Sequence, residues 1–302
     1  MKFAVTGGAG FVGNNIVKLL VSKGHEVVVI DNLHTGKKEN LQEVIEKIEF
    51  HQIDIRDFLK LESILKKVDG IFHEAALTIV QESFENEKEY FDVNVKGTEN
   101  IFKIAKKFKK KVVYASSSSI YGDSKQIPIK ENSKRKPINP YGQTKLEDEI
   151  LAEKYANEGL SVIGLRYFNI FGKGQTGSYA GVITQFLRKL NENQPPIIFG
   201  DGLQIRDFIH VSDIAEANLY AMLNETNFGF FNIGTGNGVK IIELAKIMIR
   251  IFAKNFEPIF EDGLKGDVKI SQADTVLTKK MLNWQSKINL EEGLKNLLKN
   301  NL

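Results

Sequence analysis

Tyr141 and Lys145 stand four positions apart, so any helix containing both places them on one face. A phenol is a poor base at its reference pKa of about 10. A cation about 4 Å away, at an effective dielectric near 20, is worth about 4 kcal/mol, or roughly three pKa units. Lys145, helped by the positive charge of an oxidised nicotinamide, would make Tyr141 a base that works near neutral pH. Asn139 is the expected N-cap of the helix and Pro140 suits its first position, which puts the pair in the opening turns. A second pair with this spacing, Tyr121 and Lys125, runs into Gly122, Asp123 and Pro128. Those residues break helices, so Tyr121 is assigned to packing and turn chemistry. The run Ser116–Ser119 supplies hydroxyls; alone it would be turn material, and the neighbouring motifs make one of the four a catalytic candidate.

A second constellation opens the chain. In Thr6-Gly7-Gly8-Ala9-Gly10-Phe11-Val12-Gly13, glycines at 7, 10 and 13 serve three needs. These are a tight turn, approach of backbone to a pyrophosphate, and close helix–strand packing. The following helix would offer its first N–H groups and positive dipole end to phosphate. Asp31 closes the next strand, where a carboxylate would accept adenosine ribose hydroxyls. Asn32 and Leu33 follow it, with no adjacent arginine for a 2′-phosphate, so NAD is expected over NADP.

These residues need a scaffold, and the hydrophobic rhythm supplies one. Phe3–Thr6, Val27–Ile30, Glu49–Ile53, Gly70–His73 and Val112–Ser116 read as short buried strands. Val12–Ser22, Phe58–Lys67 and Tyr90–Phe108 read as helices between them, and helix Tyr141–Asn157 precedes strand Leu160–Arg166. Strand–helix repetition implies right-handed crossovers and a doubly wound parallel α/β sheet of Rossmann type. Residues 1–166 form the expected cofactor domain, with 208–234 returning to it. Residues 167–207 and 235–302 form a smaller mixed α/β lobe for substrate.

The composition agrees with a folded enzyme. The 302 residues are 42% hydrophobic and 26% charged, with 6 prolines, which excludes intrinsic disorder and fibrous repeats. The absence of cysteine excludes disulfides, thiolate metal sites and a thiol nucleophile. Five histidines, at 25, 34, 51, 73 and 210, lack metal-ligand spacing, so no metal is expected. No apolar run is long enough for a membrane helix, and the first strand begins too early for a signal peptide, so a cytoplasmic protein is expected. With 41 basic and 38 acidic residues the charge nearly balances. The basic run Lys106–Lys111 suits a helix C-terminus, and nucleic acid is not an expected partner.

Taken together, the motifs resemble the extended short-chain dehydrogenase/reductase family, specifically its nucleotide-sugar epimerases. The likeness runs through TGGAGFVG (6–13), DNLHTG (31–36), HEAAL (73–77), DVNVKGT (92–98), SSSSIYG (116–122) and YGQTK (141–145). It continues through RYFNIFG (166–172), GDGLQIRDFIHVSDIA (200–215), FNIGTG (231–236) and GDVKISQAD (266–274). By this resemblance Ser117, Tyr141 and Lys145 are catalytic. NAD would be held by Gly7, Gly10, Phe11, Val12 and Gly13, and by Asp31, Asn32, His34, Thr35 and Gly36. Asp54 and Ile55 would lie on the adenine side, and Ala75, Ala76, Leu77 and Asn94 would line the cofactor with Tyr141, Lys145 and Phe168. A UDP-sugar would contact Thr78, Ser117, Ser118, Tyr141, Asn169, Val182, Phe199, Arg206, Lys265, Asp267 and Ser271. Arg206 has a physical warrant too, since a guanidinium fork suits a diphosphate.

The reaction so implied inverts carbon 4 of a UDP-hexose. Tyr141 takes the 4-hydroxyl proton while the carbon-4 hydride goes to NAD, and the 4-keto sugar turns over before taking it back. Dehydratases and decarboxylases of the family carry acidic residues just after the catalytic Ser/Thr; Ser118 and Ser119 stand there, which favours epimerisation. SSSSIYG also resembles UDP-glucuronate epimerases, but no arginine lies between Tyr167 and Leu187 to meet a carboxylate. A non-catalytic NAD-binding protein would be expected to lack the Tyr or the Lys.

Two positions depart from the family pattern. Leu264 stands where many epimerases carry a diphosphate-binding arginine, leaving Lys265 as the expected replacement. Ser271 stands where glucose/galactose-restricted members carry a bulky aromatic, which should open space for a 2-N-acetyl group. The stretch 177–183 also resembles N-acetylhexosamine epimerases. Family members pair two long helices into a dimer, here Tyr90–Phe108 and Tyr141–Asn157.

Overall fold

The computed structural model describes residues 1–175, 181–264 and 266–299. Its first strands are short apolar runs: β1 (Lys2–Thr6), β2 (Glu26–Asp31), β3 (Ile48–Gln52), β4 (Gly70–His73), β5 (Lys111–Ser117) and β6 (Val162–Tyr167). Between them lie α1 (Phe11–Ser22), α2 (Phe58–Leu65), two single turns α3 (Val80–Ser83) and α4 (Glu87–Tyr90), α5 (Gly97–Lys107) and α6 (Pro140–Asn157). After β6 come β7 (Asn169–Phe171), α7 (Val182–Asn191), β8 (Ile197–Phe199), β9 (Ile205–His210), α8 (Val211–Leu223) and β10 (Phe228–Ile233). The chain ends with β11 (Gly238–Lys240), α9 (Ile241–Ile251), β12 (Ile259–Glu261), β13 (Ile270–Ser271), α10 (Val276–Leu282) and α11 (Leu290–Lys299).

Seven strands form one parallel sheet in the order β10-β6-β5-β4-β1-β2-β3. A parallel sheet must be covered on both faces, which explains why its central strands β1, β4, β5 and β6 are buried almost throughout rather than alternating, while the edge strand β3 is not. One face carries α1 and α8 over Val5, Val29, Phe72, Ile163 and Leu165. The other carries α2, α5 and α6 over Ala4, Val28, Ile71, Val112 and Val162. The strand order reverses direction between β1 and β4. The loops leaving these two strands therefore diverge, and the crevice at their carboxyl ends is the ligand position of an open α/β sheet. β10 joins this sheet beside β6, whereas β9 pairs with β7, β11 and β13 in a separate small sheet. α7, α9 and α11 enclose a further apolar core there.

The helix expected over Tyr90–Phe108 runs without a break from α4 through α5 to Lys107, but it is not α-helical throughout. Residues Phe91–Lys96 form a π-helical segment between α4 and α5. Gly97 follows, and a Cβ there would lie 2.5 Å from Ile55 Cδ1. The widened turn lets the chain pack this close while carrying Asn94 inward, as such bulges often do beside functional sites.

Candidate active site

The glycine loop is held by contacts that no side chain would permit. Gly7 has φ 68°, and a Cβ there would meet the backbone nitrogen of Ala75 at 2.7 Å. A Cβ on Gly13 would lie 2.1 Å from Gly7 O, so the first turn of α1 seats directly on the loop. No side chain caps α1 at Gly10, which leaves its opening N–H groups, from Phe11 and Val12 onward, facing the crevice as an anion site.

Asp31 is 7% exposed at the end of β2. Its Oδ2 accepts from Ala9 N at 2.9 Å and its Oδ1 from Leu33 N at 2.8 Å. Burial raises its pKa against these backbone bonds. It therefore ties the glycine loop to the 31–36 loop, and each oxygen keeps a lone pair for a ribose hydroxyl. Gly36 closes over it, since a Cβ there would lie 2.9 Å from either carboxylate oxygen. Asn32 donates to Asp54 at 3.0 Å and accepts from the backbone of His34, while His34 and Thr35 are exposed at the rim. Arg56 grips Asp54 through Nε at 2.9 Å, and this hydrogen bond is the main reason the Asp54 carboxyl falls to about 2. The Ile55 side chain is buried in the core, so backbone is what this position offers a ligand.

The wall after β4 is braced from α6. Asn94 is fully buried; it accepts from Leu77 N at 2.8 Å and donates to Leu77 O and to Thr144 Oγ1. Its amide is thus spent on shaping the Ala75–Leu77 segment, and its influence on a cofactor passes through that backbone. Thr78 lies exposed at the segment's end.

Alternation along β5 sends Ser116 and Ser117 to opposite sides. Ser116 donates to Glu149 at 2.7 Å inside the core, whereas Ser117 accepts from Ser119 N at the strand end and Ser118 sits half-buried beyond it. Tyr121 is buried with its hydroxyl donating to Asn232, in keeping with a packing role. Asn139 caps α6 by accepting from Gly142 N at 2.8 Å, and Pro140 opens the helix. Gly142 allows the helix end to press on the turn after Ser117: a Cβ there would lie 2.8 Å from Ser119 O. This contact seats the start of α6, which carries Tyr141, against the turn that follows Ser117. The Tyr141 backbone is further fixed by its N–H donating to buried Ser83.

Lys145 follows one turn later, 3% exposed. Burial works against its ammonium, but Asp148, Tyr141 and Glu74 together hold it above the ordinary lysine value. Lys145 is thus a cation coupled to the Tyr141 phenol. Glu74, from HEAAL, accepts from Tyr167 at 3.0 Å, and Asn218 of α8 donates to the same hydroxyl. Burial pushes the Glu74 carboxyl up to about 8. His73, at the end of β4, bonds Thr6 at 2.7 Å and Thr98 at 2.9 Å, and burial drives its pKa down to about 3. It is a satisfied neutral residue. Sequence reasoning had not singled out Glu74, Ser83 or Asp148; an acidic residue inside an otherwise apolar strand-end motif was the available signal for Glu74.

Besides Thr78, Ser117, Ser118 and Tyr141, the candidate substrate residues lie on the segments expected to form the smaller lobe. β13 runs parallel to β9 in a register that sets Ser271 beside Arg206, and both are buried. Arg206 donates to Asp267, which holds the guanidinium in place. Phe199 is 39% exposed at the end of β8, Asn169 opens β7, and Val182 begins α7. Phe168 is buried between β6 and β7. Lys265 lies outside the described residues, as does most of the stretch 177–183. Among the described residues, no group of acidic and histidine side chains could hold a metal, and no helix is long and apolar enough to cross a membrane.

The family model for the NAD dependent epimerase/dehydratase family matches residues 3–234. The chain belongs to that family. It is 40% identical to a putative UDP-glucose 4-epimerase of Methanocaldococcus jannaschii, over 98% of each chain. Its fold matches the crystal structure of UDP-glucose 4-epimerase with UDP-glucose from Thermotoga maritima, with TM-score 0.95 and 34% identity. That match covers 100% of this chain and 99% of the other. A UDP-N-acetylglucosamine 4-epimerase from Methanobrevibacter ruminantium, in complex with UDP-N-acetylmuramic acid, matches with TM-score 0.94 and 34% identity, over 99% and 97%. Other relatives are named as a UDP-glucuronate 4-epimerase and as decarboxylases. NAD fits the residues present. The Gly7–Gly13 cradle, which a Cβ would fill, the uncapped end of α1, and Asp31 would together hold its pyrophosphate and ribose.

Proposed function

We propose that this protein is a UDP-hexose 4-epimerase acting on UDP-glucose and UDP-galactose and also on UDP-GlcNAc and UDP-GalNAc. The observation that carries the sugar range is Ser271, a small buried residue set beside Arg206. With Arg206 on the diphosphate, the side chain at 271 borders the hexose, and a hydroxymethyl group leaves room for an acetamido substituent that an aromatic ring would fill. The relative named as a UDP-N-acetylglucosamine epimerase supports the wider range. Ser118 and Ser119 support epimerisation over dehydration or decarboxylation, because the acidic residues those reactions use are missing there.

In this reading Tyr141 receives the 4-hydroxyl proton and later returns it. The Lys145 ammonium stabilises the phenolate that takes this proton and that forms again when the proton is returned, and Ser117 Oγ hydrogen-bonds the same sugar oxygen in both directions. NAD, when bound, stores the two electrons taken from carbon 4 until they are given back. Arg206 holds the diphosphate while the sugar turns. We further place the protein in the cytoplasm as a homodimer, with Phe91 (44% exposed) and Ile150 (45% exposed) as apolar contacts on the two helical segments expected to pair.

Ser271→Tyr tests the sugar range. A ring forced against an acetamido group costs about 1–3 kcal/mol, roughly five- to 150-fold in turnover. Coupled assays on each pair should show that loss for UDP-GlcNAc and UDP-GalNAc, with UDP-glucose and UDP-galactose within a few fold of the parent. Equal loss on all four sugars would sink the assignment.

A further inference from the structure

The proton transfer assigned to Tyr141 leaves a buried carboxylate unexplained. Asp148 is fully buried on α6, and its Oδ2 accepts from Lys145 Nζ at 3.2 Å, with both side chains almost wholly enclosed. Its Oδ1 accepts no well-formed hydrogen bond among the described residues, and Thr98 of α5 is the hydroxyl that faces the carboxylate. Thr98 is itself bonded to His73, and His73 to Thr6 at the root of the glycine loop. A carboxylate taken out of water is expensive, and a position needing only packing would be cheaper with an apolar side chain. What an acidic residue does here that an apolar one cannot is place a negative charge beside Lys145.

We propose that Asp148 is a positioning residue that sets the pH window of the reaction, by fixing the Lys145 ammonium and offsetting its positive charge at Tyr141. This rests on Tyr141 being the base. A nearby anion favours the protonated form of every group it faces. Asp148 therefore makes Lys145 harder to deprotonate and, against the pull of Lys145, makes the phenol hold its proton more strongly. The activity window, bounded by loss of the Tyr141 proton on the acid side and of the Lys145 proton on the basic side, sits higher in pH than Lys145 alone would put it.

Other groups around the pair are accounted for. On α6, Glu149 is locked to Arg166. From β4, His73 is held neutral by burial, and from β5 the Tyr114 hydroxyl is pushed well above its ordinary value. Neither changes charge within the working range. Burial pushes Asp148 itself up to about 7 against the pull of Lys145, so its charge is complete only above that pH. Glu74, also from the β4 side, is pushed up to about 8 and is a separate contributor, so its own Glu74→Gln variant is measured alongside.

The test is the pH profile of kcat/KM for holoenzyme carrying Asp148→Asn, Asp148→Glu or Asp148→Ser. One charge about 4 Å away, at an effective dielectric near 20, is worth about three pKa units, and one about 10 Å away about one. Asp148→Asn should move both limbs to lower pH, the basic limb by up to about three units and the acidic limb, set by the more distant Tyr141, by about one. Asp148→Glu should return both limbs most of the way. Asp148→Ser carries the same expectation if the asparagine variant does not fold. Phenolate ultraviolet difference spectra, taken between each background and its Tyr141→Phe counterpart, should show the acidic shift without turnover. Lower kcat or stability with both limbs unmoved would overturn the proposal, as would limbs moving in opposite directions. Turnover surviving Tyr141→Phe would instead overturn the assignment of the base on which it rests.

Discussion

Tyr141→Phe is expected to lower kcat for epimerisation by about 100- to 10,000-fold, the range for losing a positioned acid–base group. The hydroxyl is the only atom removed. The backbone of Tyr141 stays held by Ser83, the cap at Asn139 stays in place, and Gly142 still seats α6 on the turn after Ser117. Lys145 also stays paired with Asp148. NAD affinity, measured by titration of apoprotein, should therefore fall no more than a few fold, since the proposed phosphate and adenosine sites lie on α1 and β2. A parallel collapse of kcat with NAD retained places the proton transfer at this hydroxyl. A variant keeping more than a tenth of parental kcat would remove Tyr141 from the chemistry.

Glu149→Gln is expected to cost the folded state about 3–5 kcal/mol, the usual penalty for stripping a buried ion of its partner. Glu149 is fully buried; Oε1 accepts from Arg166 Nε at 2.8 Å and from Ser116 at 2.7 Å, and Oε2 accepts from Arg166 at 2.8 Å and Arg135 at 3.1 Å. Arg166 is 2% exposed and also donates to Tyr121 and to Glu131 O. An amide would face this guanidinium with no negative charge, leaving a cation enclosed. The cluster joins α6 to β5 and β6, so the loss should also loosen the alignment of Tyr141 with Ser117. Urea unfolding at saturating NAD, with Glu49→Gln at the exposed Lys2 pair as a control, measures it. A Glu149 midpoint no lower than that of the control would show that the cluster does not hold the site together.

The contrast between α1 and α6 shows what the sequence could convey. α1, the strands and the glycine loop obey the usual rule that apolar residues turn inward, so their positions and the capping by Asn139 were readable from pattern alone. α6 breaks that rule. It buries Lys145, Asp148 and Glu149 while leaving Ile150 exposed, so Leu146-Glu147-Asp148-Glu149 looks on paper like a solvated charged face. Lys145 and Asp148 pair with each other within the helix, and the remaining partners arrive from distant segments: Arg166 from β6 and Arg135 from a loop for Glu149, Thr98 from α5 for Asp148. Periodicity along one segment cannot encode partners supplied by three others. The π-helical turn before Gly97 escaped for a related reason, since the contact that shapes it is with Ile55 some forty residues earlier.

The most direct measurement incubates purified protein with NAD and, separately, UDP-glucose, UDP-galactose, UDP-GlcNAc, UDP-GalNAc and UDP-glucuronate, then resolves the nucleotide sugars by chromatography. The account predicts interconversion within both the glucose/galactose and the GlcNAc/GalNAc pairs, with no net NADH. Loss of water or carbon dioxide from any sugar, turnover confined to UDP-glucuronate, or no turnover while NAD binds tightly would contradict it.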